Sequence, residues 1–200
     1  MKPQPGDIRD GDFLERGLRP IPKRFHSVFS GKPFTKCSVC ECALLQPGTP
    51  YLIEKHFVGT EAVLEYALCE ECCNDLCDDF SKESTERIDR QIEAGVLAYA
   101  EAFGLDEAGQ LSGVSERCLL CHAHARSKAC HERRIVGLFR GRYMEVRAVL
   151  PLLLCGQCHE SLVNNLSEQT RRRLEDFAGT ILDFPPEFQD LPKRPKIVLV

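Results

Sequence analysis

Two stretches of the chain carry the same succession of apolar and polar positions. Tyr51–Val58 and Ala62–Leu68 are strand-like runs joined around Gly59-Thr60-Glu61. Arg133–Phe139 and Tyr143–Leu150 are joined in the same way around Arg140-Gly141-Arg142. Runs of this kind, linked by short glycine-containing loops, predict two β-hairpins. A short helix is expected after each, with Leu76 and Phe80, or Leu162 and Leu166, four apart on one face. Ser81 and Ser167 then offer hydroxyls suited to cap a longer helix. Its apolar stripe is Ile88, Ile92, Val96, Tyr99 and Phe103 in the first stretch, and Leu174, Phe177, Ala178, Ile181 and Leu182 in the second. That spacing marks a buried helix face, and plain core packing accounts for it. Pro185-Pro186 stops the second helix.

The succession is an internal repeat. CEECCNDLCDDFSKESTERI aligns without gaps over CGQCHESLVNNLSEQTRRRL at an offset of 86, matching Cys69, Cys72, Leu76, Ser81 and Arg87 to Cys155, Cys158, Leu162, Ser167 and Arg173. Repeats of this size point to one supersecondary unit used twice. The expected organisation is an extended arm over 1–34, a module over 35–103, a linker over 104–113, a second module over 114–184 and a proline-rich tail over 185–200. The tail ends in Lys196-Ile197-Val198-Leu199-Val200, a strand-like run suited to a sheet edge.

Composition adds a constraint. With 43% hydrophobic residues, 200 residues and no tryptophan, each module has a thin core, and small domains of this sort commonly need a metal or a disulfide. The N-terminus has no apolar core of the secretory type. The longest purely apolar run, Ala148–Leu154, is far short of the ~18 residues that span a membrane. A cytoplasmic location is expected, with no membrane partner. In that reducing setting, paired cysteines more often bind metal than form disulfides.

The formal charge of −4 is uneven: residues 1–36 carry +4, 37–110 carry −12 and 111–200 carry +4. Two zinc ions facing four thiolates each would lower the total to about −8. So acidic a chain is a poor general binder of nucleic acid, although one basic surface remains feasible.

Eight of the twelve cysteines fall into Cys37-x2-Cys40, Cys69-x2-Cys72, Cys118-x2-Cys121 and Cys155-x2-Cys158. A Cys-x-x-Cys turn lets two thiolates converge on one ion, and two turns brought together by a hairpin complete a tetrahedral shell with sulfur at ~2.3 Å. The intervening gaps of 28 and 33 residues exceed the ~15–20 of simple paired sites, and the hairpins account for the excess. Redox-active thiols or an iron–sulfur centre are the competing readings, but a thioredoxin-type motif belongs within a βαβ pattern that is absent here. Cys42, Cys73, Cys77 and Cys130 have no counterparts in the repeat and read as small buried apolar residues, the alternative being a ligand swap or a reactive thiol beside the zinc. His122, His124, His131 and His159 crowd the second module and read as surface or supporting groups rather than ligands.

The order of knuckle, hairpin and a second cysteine pair opening a helix resembles the treble-clef and zinc-ribbon-type four-cysteine zinc modules, here in tandem. The resemblance covers roughly 35–80 and 116–166. It implies an α+β fold of two duplicated zinc modules. It also implies that Cys37, Cys40, Cys69 and Cys72 bind one Zn2+ and Cys118, Cys121, Cys155 and Cys158 a second.

Signatures of catalysis are missing. There is no phosphate-binding Walker loop, no Gly-x-Ser-x-Gly, no His-Glu-x-x-His and no deaminase His-x-Glu with Pro-Cys-x-x-Cys. His56, His131, His159 and Asn164 echo a His-Asn-His nuclease only loosely. No catalytic residue is assigned. A non-enzymatic zinc-stabilised binding or adaptor protein with a protein partner is expected. The first alternative is nucleic-acid binding through the basic 126–147 hairpin, by Arg133, Arg134, Arg140, Arg142 and Arg147 with Phe139 and Tyr143. The preferred reading of the same arginines is a solvated hairpin that pairs with the acidic first module, and another acidic partner is a further option. The second alternative is a thiol/zinc redox sensor or metal-dependent enzyme.

Overall fold

Both expected hairpins enter a single antiparallel sheet in the structure, a computed structural model that describes residues 18–106, 109–145 and 150–182. In chain order the elements are β1 (Leu18–Pro20), β2 (Pro50–Val58), β3 (Glu61–Cys69), α1 (Glu70–Asp78), α2 (Lys82–Phe103), β4 (Glu132–Arg140), β5 (Tyr143–Glu145), β6 (Leu152–Cys155), α3 (Gly156–Asn164) and α4 (Glu168–Leu182). The strand order is β1-β5-β4-β2-β3, with β6 also on β4. None of these helices is long and apolar enough to cross a membrane.

The seam between the halves is β2 against β4, paired along the full nine residues of each strand. Its register places Glu54 opposite Val136. Those two residues begin from equivalent places: each is the fifth of its nine-residue strand. The β2–β4 register is therefore symmetric about an approximate two-fold axis through this pair. The same exchange of equivalent groups recurs between Ser81 and Ser167. Ser81 Oγ donates to Ser167 Oγ at 2.8 Å, Ser81 N–H donates to Thr170 Oγ1 at 3.0 Å, and Ser167 N–H donates to Ser84 Oγ at 2.9 Å. The two N–H bonds exchange under the 86-residue offset. Each serine also caps its own helix, accepting from Ser84 N–H or Thr170 N–H at 3.2 Å, as the sequence leads one to expect.

The long helices cross over the axis. Helix α2 runs onto the second half: a Cβ on Gly95 would stand 2.6 Å from Leu120 Cδ2, and Tyr99 and Phe103 each set a ring against His122 at 5.4 Å. Helix α4 runs onto the first half: Phe177 meets Tyr66 edge-on at 5.7 Å, and Arg173 Nε pairs with Asp79 at 2.9 Å. The apolar stripes thus bury against the opposite half, with Tyr99, Leu174, Phe177 and Ala178 in the common core.

Three features differ from expectation. The stretch 1–34 is not all extended arm: in its described part β1 pairs with β5, and Phe25 is completely buried, edge-on to Phe139 at 5.1 Å. Gly137 makes room for it, since a Cβ there would lie 2.9 Å from the Phe25 ring. Where one strand is expected over Tyr143–Leu150, β5 ends at Glu145 opposite Leu138 and β6 starts at Leu152 opposite Val136. Residues 146–149, the C-terminal strand-like run and Pro185-Pro186 lie outside the described residues. In the described part of 104–113, Leu105 bridges to Leu111, which is buried.

Charges are also hidden inside, on both faces of the sheet, since the adjacent Glu54 and Lys55 point to opposite sides of β2. Glu54, Lys55 and Arg134 are nearly fully buried. Arg134 Nη1 meets Glu54 at 2.7 Å, and Tyr66 OH donates to the other oxygen of the same carboxylate. Lys55 Nζ pairs with Glu65, directly across the β2–β3 ladder, at 2.9 Å. Burial raises the Glu54 carboxyl above its usual range, while Arg134 and the Tyr66 hydroxyl pull it back. Such pairs contribute little net stability against apolar residues of the same volume, but removing one partner leaves a stranded charge.

Candidate metal centres

Each half builds its first cysteine pair on the same tight turn. Cys37 N–H donates to Cys42 O at 2.9 Å and Glu41 N–H to Cys37 O at 3.0 Å; Cys118 N–H donates to Ala123 O and His122 N–H to Cys118 O, both at 2.9 Å. The turn requires a left-handed residue just after the second cysteine. Glu41 (φ 58°) and His122 (φ 63°) fill that place, an uncommon conformation for a side-chain-bearing residue. Flanking bridges, Lys36–Ala43 and Arg117–His124, close each knuckle.

The second pair opens a helix. Cys69 precedes α1 and Cys155 precedes α3, both in extended conformation at the N-cap. Knuckle and strand are fastened together by Ser38 N–H to Ala67 O and Leu119 N–H to Leu153 O, both 2.8 Å. Backbone N–H groups also aim at sulfur: Cys69 N–H at Cys37 Sγ (3.4 Å), Cys72 N–H at Cys69 Sγ (3.5 Å) and Cys155 N–H at Cys118 Sγ (3.3 Å).

These devices bring four sulfurs together twice. The Sγ atoms of Cys37, Cys40, Cys69 and Cys72 all lie within 4.8 Å of one another, and so do those of Cys118, Cys121, Cys155 and Cys158. Cys40–Cys69 and Cys121–Cys155 are each 3.6 Å apart. Four sulfurs at ~2.3 Å from one tetrahedral ion stand about 3.8 Å apart, so each cluster fits one. All twelve cysteines are free thiols. Two four-cysteine groups that can hold metal ions are therefore present, and an all-thiolate tetrahedral set suits zinc.

The electrostatics agree with that use. Hydrogen bonding from the Cys42 N–H brings the Cys40 thiol down to about 6. Burial opposes the same effect at Cys121, but the Ala123 N–H and the neighbouring thiols leave it below its usual value. Burial pushes Cys118 up to about 11 and raises Cys69, Cys72 and Cys158 as well. A protein-only cluster thus readily forms one thiolate and resists four. A dication supplies the missing positive charge and displaces the protons.

The remaining cysteines divide. Cys130 is fully buried, its Sγ 3.4 Å from Ala123 O. Cys42 and Cys77 are exposed and Cys73 is half-buried, contrary to the expectation of plain burial. Cys42 touches the first cluster: desolvation, together with hydrogen bonds to Cys40 and Cys69, pushes its thiol up to about 12. The second half has Ala123 in that position. No simple spacing rule covers a Cys-x-x-Cys-x-Cys run with five sulfurs and one ion, and nothing in the repeat singles out Cys42. Among the described residues no histidine joins either four-thiol group. His122 packs against aromatic rings, His124 Nδ1 accepts from Arg126 N–H at 3.1 Å, and His159 is buried beside Arg134.

The basic hairpin is largely spent on the protein itself. Arg133 donates to Gly59 O at 2.6 Å and lies over the Phe57 ring. Arg134 is the buried partner of Glu54. Arg140 is bonded to Glu145 at 2.6 Å and to Gly48 O at 3.1 Å. Arg142 is exposed, and Arg147 lies outside the described residues. Phe139 is buried and stacked on Tyr51 at 5.3 Å. Among the described residues, Arg133, Arg134, Arg140 and Phe139 are therefore engaged within the protein, and Arg142 is exposed. The acidic α1 likewise receives a cation, Arg173, at Asp79 and at Asp75 O.

Compared with protein-family models, with curated proteins and with solved structures, the chain matches none of them.

Proposed function

We propose that the chain is a non-enzymatic binding or adaptor protein, built from two duplicated treble-clef-like modules, each held by one structural Zn2+. The observation that carries this reading is the pair of closed four-thiol clusters. Four protein ligands fill a tetrahedral shell and leave no position for water or substrate, which is the mark of structural rather than catalytic zinc. A protein partner is favoured over nucleic acid because three of the five arginines considered for phosphate contact already have internal partners.

Elemental analysis of protein purified without added metal tests the reading. Two zinc ions per chain, and loss of the folded circular-dichroism signal on chelation, are the expected results. Iron in place of zinc, or a chelated chain that stays folded, would overturn it.

One observation favours a second reading, a thiol/zinc redox sensor. The first cluster has an exposed fifth thiol, Cys42, in contact with Cys40 and Cys69. A peroxide oxidant would take two electrons from Cys42 and one ligand thiolate and one proton from the Cys42 thiol, giving one disulfide, one water and one hydroxide, and the ion would lose a ligand. Zinc release from one site only, abolished in Cys42→Ala, supports a sensor; equal release from both sites removes it.

A further inference from the structure

Among the described large apolar side chains, Phe29 is the most open to solvent, 99% exposed, next to Val28 at 64%. They form the tip of a tight loop that is built rather than loose. Ser27 N–H donates to Lys32 O and Gly31 N–H to Ser27 O. Ser30 N–H reaches Ser27 Oγ, Lys32 N–H reaches Ser30 Oγ, and Val28 N–H is held by both Glu65 oxygens at 2.9 and 3.0 Å. His26 Nδ1 lies 3.1 Å from Gly31 O, and the buried Lys55 donates to His26 O from below.

We propose that this loop, residues 27–32, is an anchor that sets Val28 and Phe29 into the apolar layer of an anionic lipid surface. Three observations converge on that partner. First, five of the six backbone N–H groups from Ser27 to Lys32 already have partners within the protein. Those five donors therefore need no water when the tip meets a lipid surface, which removes part of the obstacle to seating non-helical backbone there. Second, the segment 18–36 carries Arg19, Lys23, Arg24, Lys32 and Lys36 and no acidic residue. Lys23 and Lys32 flank the tip and are exposed, the arrangement attracted by an anionic leaflet. Third, Glu65, the carboxylate that holds the Val28 N–H, is itself paired with Lys55 at 2.9 Å. The two side chains at the tip, Val28 and Phe29, are apolar and strongly exposed, which suits insertion into the apolar part of a lipid interface. The lack of a spanning segment, which led to the expectation of no membrane partner, does not bear on surface insertion.

The chain has no tryptophan, so Phe29→Trp gives a single fluorescent reporter at the tip. The full chain is floated with phosphatidylcholine vesicles and with vesicles containing about one-third phosphatidylserine. Co-flotation with the anionic vesicles, weakened by salt, and a blue shift of the indole emission in the Phe29→Trp variant are expected. Phe29→Ser, and Lys23→Glu with Lys32→Glu, should each reduce the bound fraction several-fold while leaving the circular-dichroism spectrum and thermal unfolding unchanged. Unshifted emission, equal binding to neutral vesicles, or no effect of Phe29→Ser overturns the proposal. Absence of binding to either vesicle also overturns it and turns the loop into a tip for docking on another protein.

Discussion

Ser81 and Ser167 touch each other through their hydroxyls at 2.8 Å, although 86 positions separate them. Each caps its own helix and each lies within reach of the helix that the other caps. Loss of one N-cap hydroxyl typically costs about 1 kcal/mol. Here Ser81→Ala and Ser167→Ala remove parts of one shared network. A urea double-mutant cycle should therefore give a coupling of about 0.5–3 kcal/mol rather than simple addition. Strict additivity would mean that the two caps act independently.

The Glu54–Arg134 pair joins the halves inside the sheet. Arg134→Met leaves a buried carboxylate with only the Tyr66 hydroxyl and is expected to cost about 3–5 kcal/mol. Adding Glu54→Leu should recover much of that loss, because the paired apolar variant strands no charge. If the double variant is no more stable than Arg134→Met, the damage comes from packing and not from the charge.

Acid should weaken the fold through His56. Burial, with repulsion from Arg134, lowers its imidazole to about 4, against ~6.5 in the unfolded chain. Its neutral form is the one the fold accepts. Stability is then whole above the unfolded value and falls with decreasing pH down to the folded value, because only the unfolded chain takes up the proton in that window. Urea midpoints measured from neutral pH to about pH 5 should fall less steeply for His56→Gln than for the parent. Identical slopes would assign the acid sensitivity to other groups.

Phe25 is completely buried in a segment whose five prolines and basic residues suggested an arm. Phe25→Ala is expected to cost about 3–5 kcal/mol, the usual range for a core aromatic. Unchanged thermal unfolding would show that residues 18–34 are dispensable to the fold.

The readable and unreadable parts of the sequence divide along the range of the interactions. The four-cysteine sets, both hairpins and the caps at Ser81 and Ser167 follow from local rules: turn geometry, alternation and an N-terminal hydroxyl. The β2–β4 seam does not, because a strand's pattern says which faces are buried but not which strand lies alongside. That seam hides Glu54, Lys55 and Arg134, so an arginine considered for phosphate contact is internal and engaged. Phe25 escaped for the same reason. Its pocket exists only because Gly137, far along the chain, leaves space for its ring.

The exchange of long helices across the axis should govern how cleanly the protein comes apart. Cys37→Ser and Cys118→Ser strike different clusters, yet each half rests on a helix of the other. Both variants are expected to unfold in one transition seen alike by circular dichroism and by release of bound metal. Two separated transitions would contradict this interlocking.

The nine-residue seam has a consequence during synthesis. When β2 and β3 leave the ribosome, the long side of β2 has nothing to pair with until β4 is made, and α2 has no surface to lie on. The nascent first half is thus an incomplete product with a sticky flank and an idle helix. It depends on shielding, or on prompt arrival of the remainder, to avoid joining a neighbouring chain in the same register that it will later use for itself.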